Sequence, residues 1–403
     1  MAKAKKKAAK KASIMDSFTA AAEKEMGPGA LFEPNGTKTR HVGLPLPSLS
    51  FEFMLGSNVL WLGSSYGLAG PTQSFKSSLA MELMRTVLRL GGYGSTIETE
   101  GGKISEVMIE SLLGDLRKHH KLMPRKTVEA AQDALTFVCG WIEKSFPKRD
   151  TLFAIMLDSL FGPPGEEKRK NIMKEGHAGR SFPVEALLWS QWLQTFSPGL
   201  TGMPVIFLFV NHLKKHMEDG NWRHPGGDAQ DFYSTVYFHV ARVRAYDGTD
   251  VAINQIQIRT VKHSFYLPGR RIYVPYVFDK IANHLYFDWG HSTADLLTSD
   301  LVPSTVKDVL SVSTSNKSMT ALSRTFNCKQ LGMKDVTGAE LGNAIHADPA
   351  LMTQLREAMR INMYDVWTGI MPVVDTPKEA DEPADLEEED VPEEGGDDAL
   401  DLA

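Results

Sequence analysis

Residues 64–78, SSYGLAGPTQSFKSS, decide how the chain is read. Tyr66 to Ala69 reads as a short strand, Gly70-Pro71 as a tight turn, and Lys76-Ser77-Ser78 as the opening of a helix after a loop. Leu79, Leu83, Val87 and Leu90 recur at the spacing of one helical face, so the helix is expected to pack on a core. A loop that runs from a strand into a helix start offers unpaired backbone N–H groups at the positive end of the helix dipole, which suits phosphate. The spacing is that of a P-loop, G-x-x-x-x-G-K-[ST], spanning Gly70, Pro71, Thr72, Gln73, Ser74, Phe75, Lys76, Ser77 and Ser78. Lys76 would face the β- and γ-phosphates and Ser77 would ligate Mg²⁺. Phe75 stands where the motif has its second glycine. The competing reading is a turn followed by an ordinary helix start.

Composition sets the bounds. The 403 residues are 42% hydrophobic and 23% charged, enough for one large α/β domain with small additions. The two cysteines, Cys139 and Cys328, exclude a disulfide scaffold and a cysteine-based metal site. No stretch has the length to span a bilayer and no signal-peptide pattern follows the N-terminal lysines, so a cytoplasmic protein is expected. Charge gathers at the ends. Six lysines lie within residues 3–11, and fourteen acids with one lysine within 375–403. Both ends are low in aromatic and branched residues and are expected to be disordered.

Outward from the P-loop, residues 15–27 suit a short amphipathic helix, and Leu46 to Gly56 an apolar helical segment. Gly94 to Thr99 reads as a second strand, with Glu98 and Glu100 at its C-terminal end, either of which could activate a water. Ile104 to His120 and Thr127 to Phe146 read as helical. Thr151 to Ser159 is an apolar run delivering Asp158, the Walker B pattern. Phe161 to Pro183 reads as a long charged loop with Lys168, Arg169, Lys170, Lys174 and Arg180. A helix from Val184 to Phe196 places Trp189, Trp192 and Phe196 in a core. The buried strand Met203 to Val210 ends in Asn211-His212. A second loop, Leu213 to Asp231, carries Lys214, Lys215, Trp222 and Arg223 ahead of Gly226-Gly227, a mixture of cations and one aromatic that suits single-stranded nucleic acid. Strands follow at Val236 to Arg244, Ala252 to Lys262 and Tyr273 to Phe278, then a small helical appendix. The expected division is 1–45, 46–288, 289–374 and 375–403.

In this order, GPTQSFKSS, IETE, IMLDS, FVNH, the closing GG and VKH resemble the RecA recombinase core over roughly Ser48 to Phe278. The Phe-Lys-Ser form of the P-loop resembles the phage UvsX branch. The resemblance implies an α/β fold with a mainly parallel twisted sheet, ATP and Mg²⁺ as cofactors, and hydrolysis coupled to strand exchange in helical filaments. Single-stranded DNA and homologous duplex would be partners, with a single-strand-binding protein and a loader as further ones, in the host cytoplasm. Glu100 matches the catalytic glutamate, Asp158 the Walker B aspartate, and Asn211 the γ-phosphate sensor. His212 replaces the usual glutamine. The loops 161–183 and 213–231 match the two DNA-binding loops, with Gly226 and Gly227 closing the second. Phe232 falls where ATP is coupled to DNA across a subunit interface. Lys262 matches one of two basic residues reaching the neighbour's ATP; Ser264 holds the second position, with His263 or Arg259 as the substitutes at hand. The N-terminal helix matches the polymerisation arm and the acidic tail an autoinhibitory C-terminus. Two rival readings are a hexameric DNA helicase and an ATP-binding filament protein without turnover.

Overall fold

The computed structural model describes residues 42–175, 184–215, 222–223, 229–316 and 321–369, with the backbone alone at 172, 175, 215, 222, 223 and 321. The first elements are β1 (Gly43–Pro45), α1 (Leu49–Leu55), β2 (Val59–Trp61), β3 (Ser64–Gly70) and α2 (Lys76–Arg89). Ser48 caps α1 by accepting from Phe51 N–H, and Gly56 ends it in the left-handed region, which a side chain resists. In α2, Leu79, Leu83 and Val87 are buried as their spacing requires. Leu90 is the exception: it closes the helix and is exposed.

Next come β4 (Tyr93–Glu98), α3 (Glu106–Leu113), β5 (His120–Pro124), α4 (Val128–Ser145), β6 (Phe153–Asp158), α5 (Glu166–Glu175), α6 (Val184–Gly199) and β7 (Val205–His212). The helix expected over 104–120 breaks at Gly114, whose φ of 54° and ψ of −131° suit glycine. A 3₁₀ turn then leads into β5. The first charged loop contains a helix, α5, rather than being irregular throughout. β8 (Lys214–Lys215) and β9 (Trp222–Arg223) pair antiparallel at the root of the second loop, and α7 (Ala229–Tyr233) closes it. β10 (Val236–Asp247), β11 (Val251–His263), β12 (Arg271–Asp279) and β13 (His284–Phe287) complete the sheet.

The nine-stranded sheet runs β13-β12-β11-β10-β3-β7-β6-β4-β5. All pairings from β10 to β5 are parallel, and those from β10 to β13 antiparallel. From β3 the chain moves to β4 on one side and later to β10 on the other, so the end of β3 is a switch point where a ligand crevice is expected. One face packs on α1, α2 and α3, the other on α4 and α6. Trp189 is buried there, with Trp192 and Phe196 stacked 3.9 Å apart beside it.

Residues 289–369 hold the expected helices, α8 (Trp289–Leu297), α9 (Ser304–Val309), α10 (Gly338–His346) and α11 (Pro349–Ala358). They also hold an unexpected antiparallel sheet of β14 (Val312–Asn316), β15 (Thr325–Cys328) and β16 (Met333–Thr337). The segment shares a hydrophobic cluster with α1 and α2, and Arg356 makes a bidentate 2.7 Å pair with the buried Glu52 of α1. Among the described residues no helix is long and apolar enough to cross a membrane. The lysine-rich end, the helix at 15–27 and the acidic tail lie outside the described residues.

Candidate functional site

The start of α2, like that of the short α9 behind Pro303, has no side-chain cap and so differs from the capped helix starts among the described residues. Ser105, Thr127, Asp288, Thr337 and Asp348 each cap a helix with a side-chain oxygen, whereas Phe75 provides no cap to α2. First-turn N–H groups without a cap are available to an anion. Phe75 adopts φ 64°, the left-handed conformation for which the motif's glycine is suited, and Gln73 does the same at φ 60°. Such a conformation costs a branched or bulky residue about 1–3 kcal/mol. The Phe75 ring offsets this by packing 4.7 Å from the ring of Tyr276, whose hydroxyl donates to Ser78 Oγ at 3.1 Å. At Gly70 the fit is closer still: a Cβ there would lie 2.0 Å from the Val240 carbonyl oxygen.

Lys76 is buried and donates to Gly70 O at 3.0 Å, Pro71 O at 2.7 Å and Ser74 Oγ at 3.3 Å. Burial brings its ammonium down to about 8, against the attraction of Asp158 and Glu100. Pro71 is half-buried, and Thr72 and Gln73 are exposed around it. Asp158 stands at the end of β6; burial pushes its carboxyl up to about 6, against the easing effect of the nearby Ser77 hydroxyl. One hydroxyl and one carboxylate fit the way Mg²⁺ binds at phosphate sites, where water and phosphate supply the remaining ligands. Among the described residues there is no cluster of three or more His, Cys, Asp or Glu for an all-protein metal site.

Two carboxylates at the end of β4 take different roles, because the strand stops at Glu98 and its alternation stops with it. Glu98 is buried and turned to the backbone, accepting from Glu100 N–H at 2.9 Å and Gly102 N–H at 3.1 Å. Glu100 instead enters the cluster. Its Oε1 meets Ser159 Oγ and His212 Nε2, the latter at 2.6 Å, and its Oε2 accepts from Lys103 Nζ. Burial would raise the Glu100 carboxyl, but the bonds from His212, Lys103 and Ser159 outweigh it and bring it down to about 2. Ser159 and Lys103 carry no motif of their own and were missed in the sequence; their only signal is adjacency to Asp158 and to the Gly101-Gly102 pair.

Other expected site residues lie apart from this cluster. Asn211 points to the opposite side of β7 from His212, giving its side-chain amide to Gln230 of α7 and accepting His212 N–H at 2.8 Å. Lys262 donates to the Phe232 and Ser234 carbonyls, the former at 2.6 Å, and burial lowers its pKa. His263 does not serve as a spare cation: its Nε2 donates to Leu55 O at 2.9 Å and its Nδ1 accepts two backbone N–H groups. Burial brings it down to about 4, whereas Arg259 is exposed. Phe232 is 75% exposed, an unusual setting for a phenylalanine without a partner surface. Lys168 is paired with Glu185 at 2.9 Å and Lys170 with Glu166 at 3.1 Å, while Arg169 and Lys214 are exposed. Arg180, Gly226 and Gly227 lie outside the described residues, as do the side chains of Lys215, Trp222 and Arg223.

An uncapped helix start beside the central strand, with a lysine, a serine and two carboxylates converging on it, has the geometry of a P-loop nucleotide site. No family model matches the chain. Among curated proteins it is similar to Protein RecA of Rubrobacter xylanophilus, 24% identical over 267 residues, covering 65% of this chain and 74% of that one. Protein RecA of Lactobacillus acidophilus is 25% identical over 285 residues, covering 70% and 73%. That of Bacillus subtilis is 25% identical over 253 residues, covering 62% and 69%. The chain therefore has RecA-family homology, distant in sequence and extending over about 65% of its length.

Proposed function

We propose that this is an ATP-dependent DNA strand-exchange protein that forms helical filaments on single-stranded DNA, in a phage UvsX-like branch of the RecA recombinases. The observation that carries the reading is the convergence of Lys76, Ser77, Asp158 and Glu100 at the switch point of a sheet with RecA homology. The backbone of Gly70 to Ser78 would hold the phosphates, and Lys76 would leave its carbonyl partners for them. Ser77 and Asp158 would hold Mg²⁺, which supplies charge neutralisation at the phosphates. Glu100 would orient and deprotonate the attacking water, a role for which its present basicity is too low. His212 joins Glu100 to the root of the second loop, so DNA bound on that loop has a mechanical route to the carboxylate.

The neighbour's Lys262 and Phe232 would complete the site across a filament interface, with Arg259 as the second cation. Lys168, Arg169, Lys170, Arg180, Lys214, Lys215, Trp222, Arg223, Gly226 and Gly227 would form the DNA surface, and affinity would fall steeply with salt. Residues 1–45 would serve assembly, 46–288 catalysis, 289–374 an accessory role, and 375–403 restraint. The test is ATP hydrolysis with and without single-stranded DNA, with the same samples imaged by negative stain. DNA-stimulated turnover on helical filaments is expected. Closed rings that move along DNA would point to a helicase, and binding without turnover to a scaffold.

A further inference from the structure

The sequence Glu98-Thr99-Glu100-Gly101-Gly102-Lys103 folds back on itself. Gly101 and Gly102 have φ of 78° and 92°, and a Cβ on either would meet open space. The glycines are therefore suited to the left-handed turn, not required by close packing. The buried Glu98 pins this turn through Glu100 N–H and Gly102 N–H. The turn brings Lys103 back to Glu100, whose Oε2 accepts from its ammonium. An exposed i,i+3 ion pair would ordinarily contribute little. Here, though, the Glu100 side chain is only 8% exposed, so the cation sits at the mouth of a desolvated site.

That mouth is a cleft of about 790 Å³ whose lining includes Thr72 of the P-loop together with Glu100, Lys103, Arg125, Lys126 and Lys214. Lys103 is also close enough to Lys76 for its charge to weaken the P-loop lysine's hold on its proton. One cation thus contacts the carboxylate read as the general base and lines the same cleft as the loop read as the phosphate cradle.

We propose that Lys103 is a further catalytic residue, a cation in the same subunit that contacts the terminal phosphate of a nucleoside triphosphate and shares its charge with Glu100. The proposal rests on the reading of this site as an ATPase. A nucleoside diphosphate lacks the group Lys103 contacts, so Lys103 would also discriminate ATP from ADP. Contact with the phosphate draws the ammonium from Glu100 and restores basicity to the carboxylate, coupling recognition of the third phosphate to activation of the base.

The experiment is calorimetric titration of the full chain, with Mg²⁺, using a non-hydrolysable imido analogue of ATP and, separately, ADP. Lys103→Met should weaken the triphosphate by about 10- to 100-fold, the range of a lost charge-assisted hydrogen bond, while ADP changes by less than about twofold. Lys103→Arg should recover most of the difference. Retained ADP binding reports an intact site in each variant. An unchanged ratio of the two affinities overturns the proposal, including the case in which Lys103→Met hydrolyses ATP faster because the lysine only restrains Glu100. A parent chain that binds neither nucleotide overturns this proposal and the ATPase reading together.

Discussion

Buried charge around the P-loop and buried charge in residues 288–356 are managed differently. At the P-loop, Lys76 is held by carbonyls and a hydroxyl, and Asp158 is eased chiefly by the nearby Ser77 hydroxyl. In the C-terminal segment and where it packs on α1, the acids have a matched cation or imidazole: Glu52 of α1 with Arg356, Asp288 with His291 at 2.6 Å, and the half-buried Asp295 with Arg324 at 2.8 Å. His291 is satisfied on both sides, since its Nε2 also accepts Gly338 N–H at 3.3 Å. Pairing with an opposite charge, as in the C-terminal segment, serves packing, and the lack of one, as at Lys76 and Asp158, serves a ligand; Glu100, bonded to His212, Lys103 and Ser159, is the paired exception at the site. The first kind loses stability when broken, and the second kind costs stability while it is kept.

The largest expected stability effect tests the paired region. Arg356→Ala leaves Glu52 buried without its partner and should cost about 3 kcal/mol or more, read by urea unfolding. Removing both partners, as Glu52→Leu with Arg356→Met, should recover most of it. A loss under about 1 kcal/mol for the single variant would show that the pair behaves as an exposed one and would erase the contrast.

A smaller effect is expected at Phe75, where ring packing and backbone conformation oppose each other. Phe75→Ala loses the contact with Tyr276 and keeps the left-handed strain, whereas Phe75→Gly loses the contact and relieves the strain. The glycine variant should therefore be more stable than the alanine variant by about 1 kcal/mol, measured by thermal unfolding. The reverse order would mean that the backbone there is not strained.

The third effect is graded by pH. Asp158 has its carboxyl raised from 3.8 to about 6, so its folded-state proton binding exceeds that of the unfolded chain. Its favourable contribution is complete below about pH 4 and lost as pH rises through about 6. In protein without nucleotide, Asp158→Asn should raise Tm at pH 7, with the gain shrinking as pH falls toward 4. A gain independent of pH would point to packing instead of charge.

The P-loop, Asp158 and the strand ending in Asn211-His212 were legible because each rides on an apolar run or a fixed spacing, and such runs survive as buried strands. Less legible were elements whose residues bear no such pattern. β5, HKLMP, carries a lysine and a proline on an edge of the sheet. α5, EEKRKNIMKE, is too polar to show a face, and the strands VSTSN and MKDVT are short and mostly hydrophilic. At the site, the sequence offers Glu98 and Glu100 as equal candidates at a strand end, but the turn after Glu98 separates them. Lys103 was invisible for the same reason, since only the folded turn brings it back to Glu100.

The central claim is that the carboxylate at 100, among these charges, does the chemistry. The direct measurement is steady-state ATP hydrolysis by the parent and by Glu100→Gln at saturating single-stranded DNA, with nucleotide binding measured alongside. The account predicts a fall of about 10²- to 10⁴-fold in turnover with binding retained. A variant that binds ATP and hydrolyses it as fast as the parent would contradict it.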